Sequence, residues 1–204
     1  MLTMRSLVTC AVIVIMTGIW TISGVSADPV PAGIDRQLLK GYEVLSNVHI
    51  SAAVDRRFYI IALGRNNEDV RRVRKEGASA RPLLIFEQRG GRFIPIGRND
   101  RVVLRADEGG QCDPFLDGGG TIAVKGRYFT VENGVACGQH WTDYITFRFD
   151  NRHGFVFDNE RTESWTMNQS HDPNAEALVR EGPPTVRRDK TGHVTAFSAW
   201  HPSR

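Results

Sequence analysis

The feature that most constrains the fold of this sequence is a succession of short alternating runs joined by tight turns. The clearest run extends from Tyr144 to Phe149, where Ile145 and Phe147 alternate with polar residues. Such runs are Tyr42–Leu45, Phe58–Leu63, Leu83–Gln88, Phe93–Ile96, Arg101–Arg105, Thr121–Lys125, Tyr128–Glu132, Asp143–Asp150 and Phe155–Asp158. Strands with such short links pair as antiparallel neighbours, and no long helical segment is available for a parallel crossover. The sequence therefore predicts an all-β fold of mainly antiparallel sheet, arranged as a sandwich or a barrel-like structure.

The segments on either side of these runs have different patterns. Residues Gly33–Lys40 carry apolar side chains at helical spacing and precede Gly41, which predicts a short N-terminal helix. Residues 28–168 form the predicted β-rich domain, and residues 169–204 are predicted to form an irregular polar tail. The end of that tail, Val194–Trp200, is apolar enough to dock on the domain. The basic segment Arg71–Lys75 is interpreted as a solvated excursion between strands.

The composition is that of an ordinary globular protein. Of the 204 residues, 41% are hydrophobic and 24% are charged, which excludes collagen-like, coiled-coil and wholly disordered chains. The charge balance is 26 basic minus 23 acidic residues, a net +3. This excess is too small to favour nucleic acid as a partner. At roughly 100–200 residues per domain, the length predicts a single domain.

The first 27 residues have the organisation of a signal peptide. Arg5 precedes an apolar run from Leu7 to Ile22, and the sequence Val25-Ser26-Ala27 matches the small-residue pattern at a cleavage site. The run is shorter than the ~20 residues of a membrane-spanning helix and no cationic residue follows it directly. We therefore expect cleavage after Ala27, a periplasmic or secreted mature protein, and no transmembrane anchor after cleavage.

Cleavage removes Cys10 and leaves Cys112 and Cys137 as the two cysteines of the mature chain. An even number in an oxidising compartment predicts one disulfide. The predicted hairpin between them, with Gly126-Arg127 as its two-residue turn, returns the chain toward its start. Closing this loop would restrict the unfolded chain by roughly 3 kcal/mol. The alternative is a reactive thiol, for which His140 is a nearby partner.

Six short motifs follow one another in an order that is more specific than any one of them. They are Gly41-Tyr42-Glu43-Val44-Leu45, Arg81-Pro82-Leu83-Leu84-Ile85, Arg98-Asn99-Asp100, Asp113-Pro114-Phe115, Tyr128-Phe129-Thr130-Val131 and Thr146-Phe147-Arg148-Phe149. In this order the chain resembles a group of exported bacterial β-proteins, most of which have no assigned function. The resemblance extends from about Ile34 to Phe157 and implies a β-rich exported domain.

The resemblance also points to a loop that this chain has altered. Typical members of the group carry an acidic, Gly-containing loop after the first motif, similar to the calcium loops of integrin-type propeller repeats. Here the equivalent segment, Asn47–Asp55, has one carboxylate and no glycine. Calcium takes six to eight oxygen ligands, so we expect no calcium at this loop and no cofactor in the protein.

The residues that could carry chemistry are concentrated around Cys112. No familiar enzyme signature occurs, and the six histidines have no metal-ligand spacing. The acidic residues near Cys112 are Asp100, Asp107, Glu108, Asp113 and Asp117, interleaved with glycines. This loop could hold a cation or an acid–base pair, or its acids could simply cap turns. His140 and Trp141 would face the same region if the disulfide forms, so the predicted binding residues are Asp100, Asp107, Glu108, Asp113 and Trp141.

Three classes of function remain open for such a chain. The favoured hypothesis is a non-catalytic binding or interaction module whose partner is an unknown component of the cell envelope. The second is an envelope hydrolase that uses the Asp100–Asp117 loop with His140. The third is an immunity-type or inhibitor protein, which would bind one macromolecule.

Overall fold

The computed structural model describes residues 29–53, 56–68, 77–117, 121–138 and 140–202, and in it two antiparallel sheets pack as a sandwich. The predicted signal peptide and the basic segment Arg71–Lys75 lie outside the described residues. Within the described ranges the two sheets stay separate, so the prediction of an antiparallel all-β fold is confirmed in its sandwich form. None of the helices in these ranges is long and apolar enough to cross a membrane.

The first sheet has four strands in the order β1-β2-β3-β4. Its strands are β1 (Tyr42–Ala53), β2 (Arg56–Arg65), β3 (Arg81–Arg89) and β4 (Arg92–Val103). The second sheet has the order β10-β8-β7-β6-β5, with β9 also paired to β8. Its strands are β5 (Ile122–Lys125), β6 (Tyr128–Val135), β7 (His140–Asp150), β8 (Gly154–Met167), β9 (Leu178–Arg180) and β10 (Thr185–Arg187).

The core lies between the inner faces of the two sheets and is rich in phenylalanine. Phe58 of β2 packs on Phe149 of β7 with ring centroids 4.8 Å apart, and Phe129 stacks on Phe147 at 5.2 Å. Each such ring removes roughly 150–250 Å² from water. The alternation that predicts Ile145, Phe147 and Phe149 on one face therefore places these side chains in the core, where all are buried.

A smaller apolar cluster covers the outer face of the first sheet. The predicted helix is present as a single turn, α1 (Ala32–Asp35), which inserts Ile34 against Ile61, Leu63, Leu84 and Phe86. Because this cluster lies opposite the main core, β3 is buried on both faces over most of its length. Such double burial explains why its sequence is a continuous apolar run instead of an alternating one.

Strand β4 spans two segments that the sequence pattern separates. The stretch Gly97–Asp100 has turn-forming residues, yet it continues the strand, with register shifts relative to β3. Gly97 is needed for packing, because a Cβ there would lie 3.0 Å from the ring of Phe197. Asn99 is buried and its amide donates to the carbonyls of Phe197 and Trp200 at 2.7 and 2.9 Å.

The segment after β8 is more ordered than a loose tail. It contributes the short strands β9 and β10 and then a 3₁₀ turn, Phe197–Ala199. Phe197 and Trp200 are 3% and 2% exposed and pack on Phe147. The C-terminal segment therefore closes one part of the core.

Candidate functional site

Cys112 and Cys137 meet at one end of the second sheet. Cys112 and Cys137 are placed as a disulfide pair with their Cα atoms 6.2 Å apart. The β5–β6 hairpin lies between them in the sequence, and its strands pair from Ile122↔Val131 to Lys125↔Tyr128. The pair ties the acidic loop to the start of β7, where Trp141 lies.

Asp113, one of the predicted binding residues, is buried in an ion cluster. Arg81 of β3 is fully buried and donates to both carboxylate oxygens of Asp113, one of them at 2.7 Å. The same guanidinium donates to Glu68 at 2.8 and 3.0 Å and to the carbonyl of Leu104 at 3.1 Å. This Arg81 cluster fastens the acidic loop to the first sheet.

The pKa of Asp113 agrees with a structural role. Burial acts to raise this pKa, but hydrogen bonds from Arg81 and from the amides of Phe115 and Leu116 outweigh it, so the pKa lies below its ordinary value. The pKa of Arg81 is raised, since the two carboxylates outweigh its own burial. Asp113 is therefore an ionised carboxylate whose oxygens already accept several hydrogen bonds.

The other four acids of the predicted loop also accept local hydrogen bonds. Asp100 lies on β4 and pairs with Arg98 at 2.7 and 2.8 Å. Asp107 accepts from the amide of Ala78 at 3.3 Å, Glu108 from that of Arg105 at 2.8 Å, and Asp117 from that of Asp113 at 2.8 Å. The contacts of Glu108 and Asp117 are those of turn-capping acids, whereas Asp100 forms an ion pair on β4 and Asp107 bonds a segment distant in the sequence. Binding through Asp100, Asp107 or Glu108 stays a prediction.

A cleft of about 360 Å³ opens at the disulfide end of the second sheet, and we call it the tryptophan cleft. Of the predicted site residues, it contains Trp141. Its lining residues combine indoles and a thioether with hydroxyl, imidazole and carboxylate groups: Gly138, His140, Trp141, Ser164, Trp165, Thr166, Met167 and Glu181. Trp141 and Trp165 are partly buried, and Met167 is 56% exposed.

Strand register explains how these residues come together. Trp141 pairs with Ser164 across β7 and β8, and His140 pairs with Trp165. Neighbouring residues of a strand point to opposite faces, so Trp141 and Ser164 belong to the inner face and His140 and Trp165 to the outer face. The cleft therefore lies across the end of the sheet, where both faces are reached.

A pair of carboxyl groups lies on the inner face next to this cleft. Asp143 follows Trp141 by two residues on β7 and makes a side-chain hydrogen bond with Glu160 of β8. Burial, together with the charge of Glu160, raises the pKa of Asp143 to about 7. Thr162 donates to Asp143 at 3.0 Å, and Arg187 pairs with Glu160 at 2.5 Å. Asp143 can therefore keep its proton near neutral pH.

Most of the tryptophan cleft is not predictable from the local sequence. The closeness of Trp141 to Cys137 predicts its place in a site, but Trp165, Ser164 and Glu181 join the cleft only through the pairing of β8 with β7 and β9. The alternation Thr162, Ser164, Thr166 against Glu163, Trp165, Met167 is the signal that could have predicted the extension of β8. One side of this pattern is hydroxylic and the other includes Glu163, and the predicted strand ends at Asp158.

Two further findings concern what this site resembles. Among the described residues, no group of three or more histidine, cysteine or acidic side chains is arranged to hold a metal ion. In comparisons with known proteins, no family model, no curated protein and no solved structure matches this chain.

Proposed function

We propose that this protein is a non-catalytic binding module that takes a saccharide unit of an envelope glycan in the tryptophan cleft. The observation that carries the proposal is the lining of the cleft, where Trp141 and Trp165 occur beside Ser164, Thr166 and Glu181. A pyranose ring has apolar C–H faces and hydroxyl groups around its edge. Aromatic rings suit such faces, and hydroxyl and carboxylate groups suit the edge.

The size of the cleft and the predicted export agree with this ligand class. A volume of about 360 Å³ lies within the usual range of roughly 300–1,000 Å³ for small-molecule sites. A mature protein in the periplasm or outside the cell would meet glycans as the most abundant polar polymers of its surroundings. The disulfide between Cys112 and Cys137 would hold Gly138, which lines the cleft, close to the sheet.

The test is titration with a soluble glycan of defined length. Wild-type protein should show a saturable change in tryptophan fluorescence with tetra-N-acetylglucosamine, and it should co-sediment with purified peptidoglycan sacculi. Trp165→Ala and Trp141→Ala should each weaken binding about tenfold, the effect of losing roughly 1.4 kcal/mol of ring contact.

The matched control is Val124→Ala, which removes an exposed apolar side chain of β5. This variant should bind as the wild type does. Absence of saturable binding to both glycans, or tryptophan variants that bind as tightly as the control, would refute the proposal.

A second candidate function is hydrolysis of the bound glycan, and one observation favours it. Asp143 lies on the same face as Trp141 and holds a proton near neutral pH, as a general acid must. Glycosidases, however, separate their two carboxyl groups by about 5–9.5 Å so that the substrate fits between them. Asp143 and Glu160 are in hydrogen-bond contact, so binding stays the proposed function. Release of reducing ends by the wild type but not by Asp143→Asn would reverse this choice.

A further inference from the structure

A second cleft, of about 240 Å³, lies between the sheets where β7 turns into β8. It is separated from the tryptophan cleft by the length of β7, roughly 26 Å for the eight steps from Trp141 to Phe149 at about 3.3 Å each. Its walls combine charged with apolar side chains, among them Arg56, Ile85, Glu87, Arg89, Phe149 and Phe155. We call it the Glu87 cleft.

The charged part of this cleft has one more cation than anion. Glu87 is 1% exposed and pairs with Arg56 at 2.7 Å and with Arg89 at 2.5 Å. The two arginine side chains are 34% and 60% exposed. A single buried carboxylate thus holds two guanidinium groups that reach solvent, and the local net charge is +1.

The charge state of Glu87 is secured by the same contacts. Burial acts to raise the pKa of Glu87, but the hydrogen bonds from Arg56 and Arg89 outweigh it and hold the pKa below its ordinary value. The carboxylate is therefore ionised at neutral pH, and the excess of one positive charge persists there.

Aromatic rings fix the position of one of these cations. The guanidinium carbon of Arg56 lies 4.7 Å from the ring centroid of Phe149 and 5.2 Å from that of Phe58. Contacts of this kind orient a guanidinium over a ring face. Since Arg56 bonds Glu87 through Nε, its two Nη groups can donate to a further acceptor in the cleft.

We propose that the Glu87 cleft binds the carboxylate of a small organic acid, whose apolar part packs against the apolar lining of the cleft, where Ile96 is 41% exposed. Guanidinium groups bind carboxylates with paired, charge-assisted hydrogen bonds. A monoanion brings the local charge to zero, whereas a dianion such as phosphate would leave an excess negative charge beside the buried Glu87. The exposed side chain of Ile96 offers apolar surface that an inorganic anion cannot use.

A similar cluster elsewhere in the molecule serves as an internal control. On the outer face of the second sheet, Glu163 is 5% exposed and pairs with Arg161 and, at 3.3 Å, with Arg180. Both arginines are nearly half exposed. The two clusters have the same charges, but the lining of the Glu87 cleft adds phenylalanine rings on the facing sheet.

The test is isothermal titration of the full chain with 3-phenylpropionate, 3-phenylpropionamide and inorganic phosphate. The carboxylate should bind saturably, and the neutral amide and phosphate should bind at least about tenfold more weakly, as the loss of one charge-assisted interaction predicts. Arg89→Gln and Arg56→Gln should each weaken carboxylate binding about tenfold. Arg180→Gln, which removes one guanidinium from the control cluster, should bind within about twofold of the wild type.

Three results would overturn the proposal. They are equal affinity for the acid and its amide, preference for phosphate, and an equal effect of Arg180→Gln and Arg89→Gln. Chemical-shift changes in the amides of Gly154 and Phe155 on addition of 3-phenylpropionate locate the bound acid independently of any variant. Their absence at saturating acid would also refute the assignment.

Discussion

The two ends of strand β3 bury opposite charges with opposite consequences. Arg81 begins the strand and is fully buried between Glu68 and Asp113, whose side chains are 8% and 2% exposed. Glu87 lies near the other end on the same face, and its partners Arg56 and Arg89 reach solvent. The Arg81 cluster has no exposed member to offer a ligand, whereas the Glu87 cluster presents two cations in a cleft. Exposure of the partners, more than the presence of a buried charge, separates a structural contact from a candidate binding site.

The two clusters also differ in what they connect. Arg81 joins β3 to the acidic loop through Asp113, 32 residues further along the chain, and to Glu68 on the preceding segment. Glu87 joins neighbouring strands of one sheet, since Arg56 begins β2 and Arg89 ends β3. Loss of the first cluster would therefore release a loop, and loss of the second would leave the sheet in place.

The largest expected effect is that of Arg81→Leu. This change leaves Glu68 and Asp113 buried without their cation, and breaking a buried pair in this way costs about 3–5 kcal/mol. Urea unfolding at neutral pH measures the loss. Replacing the whole cluster, Arg81→Leu with Glu68→Gln and Asp113→Asn, should recover part of it, because the uncompensated charges are then absent. A single variant as stable as the wild type would show that the cluster contributes nothing.

Reduction of the disulfide should have the next largest effect. The bond closes a loop of 25 residues in sequence, which in the loop-entropy model stabilises the fold by roughly 3 kcal/mol. Cys112 is adjacent to Asp113, so reduction should also loosen the Arg81 cluster while leaving the Glu87 cleft intact. Hydrogen exchange checks this: amides at Phe115 and Leu116 should exchange faster after reduction, and those at Phe86 and Glu87 should not change.

A smaller effect is expected from Asp143→Asn, and it depends on pH. The pKa of Asp143 is raised from 3.8 to about 7, so the unfolded chain releases this proton at lower pH than the folded chain does. The contribution of protonated Asp143 to the free energy of unfolding is therefore complete below about pH 4. It decreases between pH 4 and 7 and is lost above pH 7.

The asparagine variant should accordingly be more stable than the wild type at pH 8, by an amount on the order of 2 kcal/mol. At pH 4 the two proteins should unfold at similar urea concentrations, since asparagine resembles the protonated acid. Denaturation midpoints that differ by the same amount at both pH values would contradict the raised pKa.

The smallest expected effect is that of Arg89→Gln on folding. Its side chain is 60% exposed, and Arg56 continues to pair with Glu87. The melting temperature should match that of Arg57→Gln, a change at an exposed position on the opposite face of β2. A clear drop relative to that control would make the Glu87 cluster structural, like the Arg81 cluster.

The sequence predicts the parts of this fold that depend on residues close to one another in the chain. Alternation places Ile145, Phe147 and Phe149 in the core, and glycine-containing turns mark the hairpins. It misplaces the segment Gly97–Asp100, because glycine and asparagine there serve distant packing with Phe197 instead of a turn. Local composition carries no information about such a partner.

The candidate sites are less predictable than the strands, for a related reason. Proximity to Cys137 was enough to select Trp141. The pairing of Glu87 with Arg56, however, spans 31 residues and depends on the register of β2 with β3. The charge of Asp113 predicts a binding residue, whereas in the structure that carboxylate accepts hydrogen bonds from the buried Arg81. The sequence shows where a charged residue lies but not which residue it pairs with.

The amide of Asn99 has a consequence for the order in which the molecule can assemble. It holds the carbonyls of Phe197 and Trp200, which lie 98 and 101 residues further along the chain. A ribosome adding roughly 5–20 residues per second needs at least several seconds to travel that distance. Phe147 and Phe157 are made within that interval, and they lack the cover of Trp200, which packs against both, until the interval ends. These rings are thus the surface that a chaperone would meet on every newly made copy, until the chain has been extended as far as Trp200.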